Sequence, residues 1–250
     1  LKMETTTGSA MGTDSSGEGN NFTENGSPTQ TIDNPSNVLA TLNSNNNYYP
    51  NLTLSNGNLT WVQPASTYPS PGTTLSMSTG KWYAEMKVED VDGWIIVGIS
   101  GRQFTAVGQF VGGESDGYCY FGGSSSGGSN SKGNDNTRYS YGDSYTTNDI
   151  IGIALDLDNS KIYFSKNGTW QDSGDPTSGA TGTGAAFTVT TPSSGFYYFG
   201  AGNWDGDQPA SGSWNFGSGY FGTTQISSAG TSSTNDDSIW EYDCPTGYYG

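Results

Sequence analysis

The chain of 250 residues contains no histidine. That removes the commonest general base and the commonest metal ligand together. Its only cysteines are Cys119 and Cys244. Two thiols without histidine exclude a zinc cluster. They leave three states open: one disulfide, an interchain link, or two free thiols. Cations are scarce, 8 Lys+Arg against 24 Asp+Glu, for a net charge of -16. Such a surface repels phosphate backbones and anionic lipid, so nucleic acid is excluded as a partner. No apolar run approaches the ~20 residues of a membrane-spanning helix, so no membrane insertion is expected. Residues 1–5 (LKMET) carry no apolar run of the secretory type. The start without Met and the abrupt end at Gly250 point to a piece of a longer polypeptide. Helical periodicity is missing as well: no window shows an i, i+3, i+4, i+7 apolar pattern free of glycine.

What is present points to strands. Apolar residues make up only 31% of the chain, yet aromatics make up 13%, with 16 Tyr and 7 Trp. Disordered chains are poor in aromatics, so a folded chain with a small aromatic core is expected. The 38 Gly and abundant Ser and Thr indicate many turns and short strands, an all-β signature.

Three segments follow. Residues 1–35 are polar and aperiodic and read as a connecting segment. Residues 36–222 hold the strands of an antiparallel β-sandwich with long Gly/Ser/Asn loops. Residues 223–250 read as a C-terminal linker or strand. Within the middle segment, residues 38–42 (VLATL) are the first expected strand, and residues 81–88 (KWYAEMKV) alternate, with Trp82, Ala84, Met86 and Val88 on one face. That predicts a half-buried strand. Residues 93–99 (GWIIVGI) form a near-continuous apolar run suited to a strand buried on both faces. The Gly/Ser/Asn-rich stretch 122–136 predicts an exposed excursion, and 172–184 a second loop.

Residues 149–170 (DIIGIALDLDNSKIYFSKNGTW) hold the most apolar stretch. Ile151, Ile153, Leu155 and Leu157 share one face; Ile150, Gly152, Ala154 and Asp156 share the other. Ile162 and Phe164 point inward on the return strand. Asp158 is expected to cap the first turn, and Asn167-Gly168 to form the second.

The order of Gly142-Asp143, this buried strand, Asp156-Leu157-Asp158 and Phe164-x-x-Asn167-Gly168 resembles the hallmark of SPRY domains. Residues 80–88 (GKWYAEMKV), 93–100 (GWIIVGIS), 196–203 (FYYFGAGN) and 214–218 (WNFGS) resemble further strands of that family, in the same order. The resemblance covers roughly residues 50–220 and implies a concanavalin-like β-sandwich. The flanks, 12–26 (GTDSSGEGNNFTENG), 32–61 and 242–250 (YDCPTGYYG), resemble segments of bacteriophage virion proteins. The last departs from them by stopping where those chains continue.

Candidate sites are few. Asp156 and Asp158 are the obvious carboxylate pair, but they bracket a turn and read as turn residues, so no catalytic site is assigned. Asp90-Val91-Asp92 and Asp205-Gly206-Asp207 offer the hard oxygens Ca²⁺ takes, without an EF-hand pattern. They read as acidic turns, and no metal or cofactor is expected. Aromatic platforms beside Asp and Asn acceptors suit glycans. Asn203-Trp204-Asp205-Gly206-Asp207 is the leading stretch, and Trp170 beside Gln171-Asp172 the second. Sequons at Asn21, Asn25, Asn51, Asn58 and Asn167 are no more than composition produces.

The resulting expectation is a non-enzymatic structural and recognition protein of a virion. It would be a fibre or capsid/tail appendage module that assembles as a homo-oligomer, a trimer, at the virion surface or otherwise outside the cell. Its partners would be other virion proteins and host surface polysaccharide. The competing reading is a subunit of a cellular extracellular filament or adhesin with a purely structural role. A third is a polysaccharide depolymerase working through Asp156 or Asp205.

Overall fold

The structure, a computed structural model, describes residues 12–14, 16–23, 25, 39–46, 52–64, 71–104, 108–123, 130–204, 208–231 and 238–250. Two units are distinguished, Leu1–Val38 and Leu39–Gly250. In the first, the Asp14 carboxylate organises a loop. It accepts the backbone N–H of Ser16 (2.9 Å) and of Asn20 (3.1 Å), while Asn21 Oδ1 accepts the Asp14 N–H (2.8 Å). An acidic side chain satisfying nearby amides stands in for secondary structure there.

The second unit is all-β, with only single 3₁₀ turns besides its strands among the described residues. In chain order the strands are β1 (Thr53–Ser55), β2 (Thr60–Gln63), β3 (Lys81–Val91), β4 (Trp94–Ser100), β5 (Gly117–Gly123), β6 (Ser131–Asn134), β7 (Thr137–Ser140), β8 (Ile150–Asp156), β9 (Lys161–Lys166), β10 (Thr169–Trp170), β11 (Phe187–Thr188), β12 (Tyr198–Asn203), β13 (Ala210–Asn215), β14 (Tyr220–Phe221) and β15 (Thr224–Gln225). One sheet runs β1-β2-β13-β3-β8-β9-β10, with β11 also on β9; the other runs β12-β4-β5-β6-β7. Pairing between these strands is antiparallel throughout the sandwich. This is the sandwich the alternating and continuous apolar runs implied.

Between the sheets lies one aromatic-aliphatic core. Ala84, Met86, Val88, Ile151, Ile153, Leu155, Ile162 and Phe164 enter from the first sheet; Ile95, Val97, Ile99, Tyr118, Tyr120 and Phe199 enter from the second. Trp214 stacks on Phe216 with centroids 5.0 Å apart and planes 10° from parallel. Large rings fill the volume that a chain with few aliphatic residues could not fill otherwise.

Both outer faces are covered as well, which corrects the half-buried reading of β3. Tyr83 and Glu85, on its supposed solvent face, are 1% and 0% exposed. Tyr83, Ala154 and Tyr163 pack there with Trp240, Cys244 and Tyr248 from the C-terminal stretch. The segment expected as a linker or strand over 223–250 therefore contributes, in its described residues 238–250, a layer over the first sheet. Outside the second sheet, Trp94, Ile96, Phe104, Val111, Cys119 and Phe121 form a third cluster. Cys119 and Cys244 thus lie on opposite sides of the sandwich, and neither is in a disulfide.

Three local expectations are revised. Residues 38–42 form no strand among those described; Leu42 makes a single bridge to Thr73. The Gly/Ser/Asn excursion at 122–136 contains β6, and the β6–β7 hairpin turns at Asp135 and Asn136 with φ 51° and 55°. Asp and Asn tolerate that left-handed region because their short side chains bond locally. Lastly, the β8–β9 turn is capped by Asp156 and not by Asp158. Asp156 Oδ1 accepts Asn159 N–H and Oδ2 accepts Asn159 Nδ2, both at 2.9 Å, while Lys81 Nζ lies 3.1 Å from Oδ2. Asp158 instead accepts the Gly80 N–H (2.9 Å). Both carboxylates of the supposed catalytic pair are held by the fold.

Candidate functional site

The leading sequence candidate folds into a packed cluster. Trp204 follows β12, where its N–H bonds Trp94 O (3.1 Å). Its ring meets Trp94 at 5.4 Å, Phe121 at 6.0 Å and Phe110 at 6.3 Å. The Arg138 guanidinium lies over the same group, 3.9 Å from the Trp94 ring centre and 5.4 Å from that of Trp204. Cation and rings attract through the ring quadrupole. The space left among them is about 20 Å³, far too small for a sugar ring. Asn203 is fully buried, and its amide donates to Gln208 O. It is the last residue of β12, with its side chain inside the fold. Asp205 and Asp207 lie outside the described residues, as does the sequon at Asn51.

Trp170 has different surroundings. It sits at the end of the β9–β10 hairpin, whose tight turn places Asn167 and Gly168 at φ 48° and 79°. Its ring meets Tyr83 edge-on at 6.3 Å. Beside it opens a cleft of about 410 Å³, lined further by Asp175, Pro176, Thr231, Asp243 and Pro245. That volume is within the range of small-molecule sites. Gln171 and Asp172, the expected acceptors beside Trp170, are used elsewhere. Gln171 Oε1 accepts the Asp143 N–H (2.7 Å), and Asp172 Oδ1 accepts the Gly142 N–H (3.3 Å). The acceptors at the cleft are Asp175 and Asp243. Asp175 Oδ1 accepts the Thr177 N–H (2.9 Å) and hydroxyl (2.6 Å). Asp243 Oδ1 accepts the Thr231 N–H (2.7 Å), which holds its carboxyl below the ordinary carboxylate value.

Trp204 and Trp170 therefore serve opposite outer faces and do not form one site. Sequence reasoning missed Asp175, Thr231, Asp243 and Pro245, which come together from two distant stretches. The signal available was the aromatic-rich 242–250 stretch, whose Tyr248 is fully buried and donates its hydroxyl to Pro176 O (2.9 Å). That bond ties the two walls of the cleft to each other. For Ca²⁺, no group of three acidic or thiol side chains converges among the described residues.

Comparison with known proteins bears on the scaffold. Residues 81–197 match the SPRY domain. The match begins at β3 and stops just before β12. The chain is also similar to the crystal structure of the SPRY domain of human HERC1, at 16% identity and a TM-score of 0.48, over 65% of this chain and 91% of that one. No curated protein sequence matches the chain. The SPRY match contains Trp170 and Asp175, whereas Thr231, Asp243 and Pro245 lie C-terminal to it. The cleft is thus half SPRY segment and half appended chain.

Proposed function

We propose that this chain is a non-enzymatic recognition module whose Trp170 cleft holds a neutral sugar residue of a surface glycan. The observation that carries the reading is the cleft itself, a half-buried aromatic beside the carboxylates of Asp175 and Asp243 in about 410 Å³. The C–H face of a pyranose packs on an indole ring, and its hydroxyls donate to carboxylates. A net charge of -16 disfavours uronate- or sialate-bearing glycans. A glycosidase needs a carboxyl raised to act as general acid. Asp243 is shifted the other way. Glu85, which is raised, is fully buried and does not line the cleft.

The wider setting we propose is a homo-oligomeric virion appendage outside the cell, on the strength of the flanking segments 12–26, 32–61 and 242–250. A cellular adhesin or filament would use the same cleft. Its glycosylated form would not draw on Asn167, whose Oδ1 accepts the Ile150 N–H (2.8 Å) and whose Nδ2 donates to Asp149 (2.7 Å).

Trp170→Ala is expected to weaken binding to the neutral hexose and N-acetylhexosamine probes of a glycan array by about tenfold or more, the effect of truncating an aromatic anchor. Trp204→Ala should leave it unchanged. Wild-type binding by the Trp170 variant would reject the cleft as the site.

A further inference from the structure

The C-terminal layer is held by one buried carboxylate. The β13 ladder on β3 ends at the Asn215–Glu85 pair. Past that point the edge of β3 is taken by Tyr249: Tyr83 N–H donates to Tyr249 O (2.7 Å), and Tyr249 N–H donates to Lys81 O (2.9 Å). Over residues 238–248 the chain lies on the outer face of the first sheet and passes over Glu85. Glu85 Oε2 accepts the Glu241 N–H (2.9 Å) and Asn215 Nδ2 (3.2 Å); Oε1 accepts the Tyr242 N–H (2.9 Å) and the Tyr83 hydroxyl (3.1 Å). Two consecutive backbone amides are thus fixed on one side chain. The residues immediately after them, Asp243 and Cys244, with Pro245 and Thr246, form one wall of the Trp170 cleft.

We propose that residues 238–250 are a latched strap, and that Glu85 is the positioning residue that holds the 243–246 wall against Trp170. Glu85 touches no ligand. It acts through Glu241 and Tyr242, and Tyr248 closes the far end on Pro176. With the latch removed, the β-sandwich core between the sheets keeps its own contacts, because no residue of 238–250 belongs to it. The strap and a bound glycan then stabilise each other: a ligand that needs the wall favours the latched state, and the latch favours the ligand by the same factor. The ligand half of this inference rests on the glycan reading of the cleft; the latch does not.

The two cysteines report the strap directly. Cys244 lies in it at 6% exposure, and Cys119 lies in β5, on the other face, at 0%. Glu85→Ala and, separately, Tyr248→Phe are expected to raise maleimide labelling of Cys244 by about tenfold or more beyond any rise at Cys119, since local opening exposes one face only. Labelling of Cys244 that stays unchanged, or rises only in step with Cys119, overturns the latch. Should Glu85→Ala not fold, Tyr248→Phe decides. The same variants are then tested on the neutral hexose and N-acetylhexosamine probes. Higher Cys244 labelling with wild-type binding overturns the wall role and leaves the glycan reading standing. Absence of binding by the wild-type chain rejects the glycan reading, and the labelling ratio still judges the latch.

Discussion

Glu85→Ala should cost about 3–5 kcal/mol of folding stability at pH 5, a large share of what a domain of this size has. The side chain is fully buried. Its loss strands the amides of Glu241 and Tyr242 and the hydroxyl of Tyr83 in a site closed to water. The cost also depends on pH in a definite direction. Burial is the largest influence on the carboxyl and raises it from 4.5 to about 7, against the hydrogen bonds from Glu241, Tyr242, Tyr83 and Asn215, which favour its charged form. The native state therefore holds the proton more tightly than the unfolded chain. The contribution of Glu85 is complete below pH 4.5 and is lost as pH rises through 7. The difference between wild type and Glu85→Ala should shrink by about 3 kcal/mol between pH 4.5 and 8. Denaturant unfolding of both proteins across that range measures it. A difference that is flat with pH would show that Glu85 ionises in the folded protein as it does in the unfolded one.

A second large effect is expected from adding one carbon. Gly98 sits in β4 opposite Cys119 of β5. A Cβ there would fall on the Tyr118 carbonyl oxygen and within 2.8 Å of the Cys119 Cα. Both obstacles are backbone, so relief requires the β4–β5 ladder to open. Gly98→Ala is expected to destabilise by about 4 kcal/mol or more, in the rare upper tail for single substitutions. Its neighbour provides the comparison. Ile99→Ala removes three carbons from a fully buried side chain and should cost about 2–5 kcal/mol. Thermal or denaturant unfolding ranks the two, and a Gly98→Ala protein within about 1 kcal/mol of wild type would mean the ladder tolerates the carbon.

The part of this architecture that could be read from the chain is the part governed by local pattern. β4 and β8 are near-continuous apolar runs, and each is buried along its whole length. The β9–β10 turn was legible because Asn167-Gly168 is the dipeptide that a tight hairpin with two positive φ angles requires. β3 was misread for a physical reason. Alternation reports which face is apolar, and Tyr83 and Glu85 look like solvent residues until Trp240 and Tyr248 arrive from elsewhere in the chain. The cleft shares that origin. Asp175 and Asp243 carry no mark that pairs them, and the Tyr248–Pro176 bond helps bring their loops together. Trp204 attracted interest by composition, whereas its ring is occupied with Arg138 and Phe110.

The strap has a consequence for the order in which the molecule can be made. Glu85 and Glu241 are 156 positions apart, so the ribosome completes every strand of the sandwich before the partner of Glu85 exists. Until then the outer face of the first sheet presents Tyr83, Tyr163 and the Glu85 carboxyl to solvent. Contacts this distant in sequence form late and slowly. Residues 238–250 therefore complete this face after every strand of the sandwich, and a chain interrupted before them is most adhesive toward its neighbours on the very face that later carries the cleft.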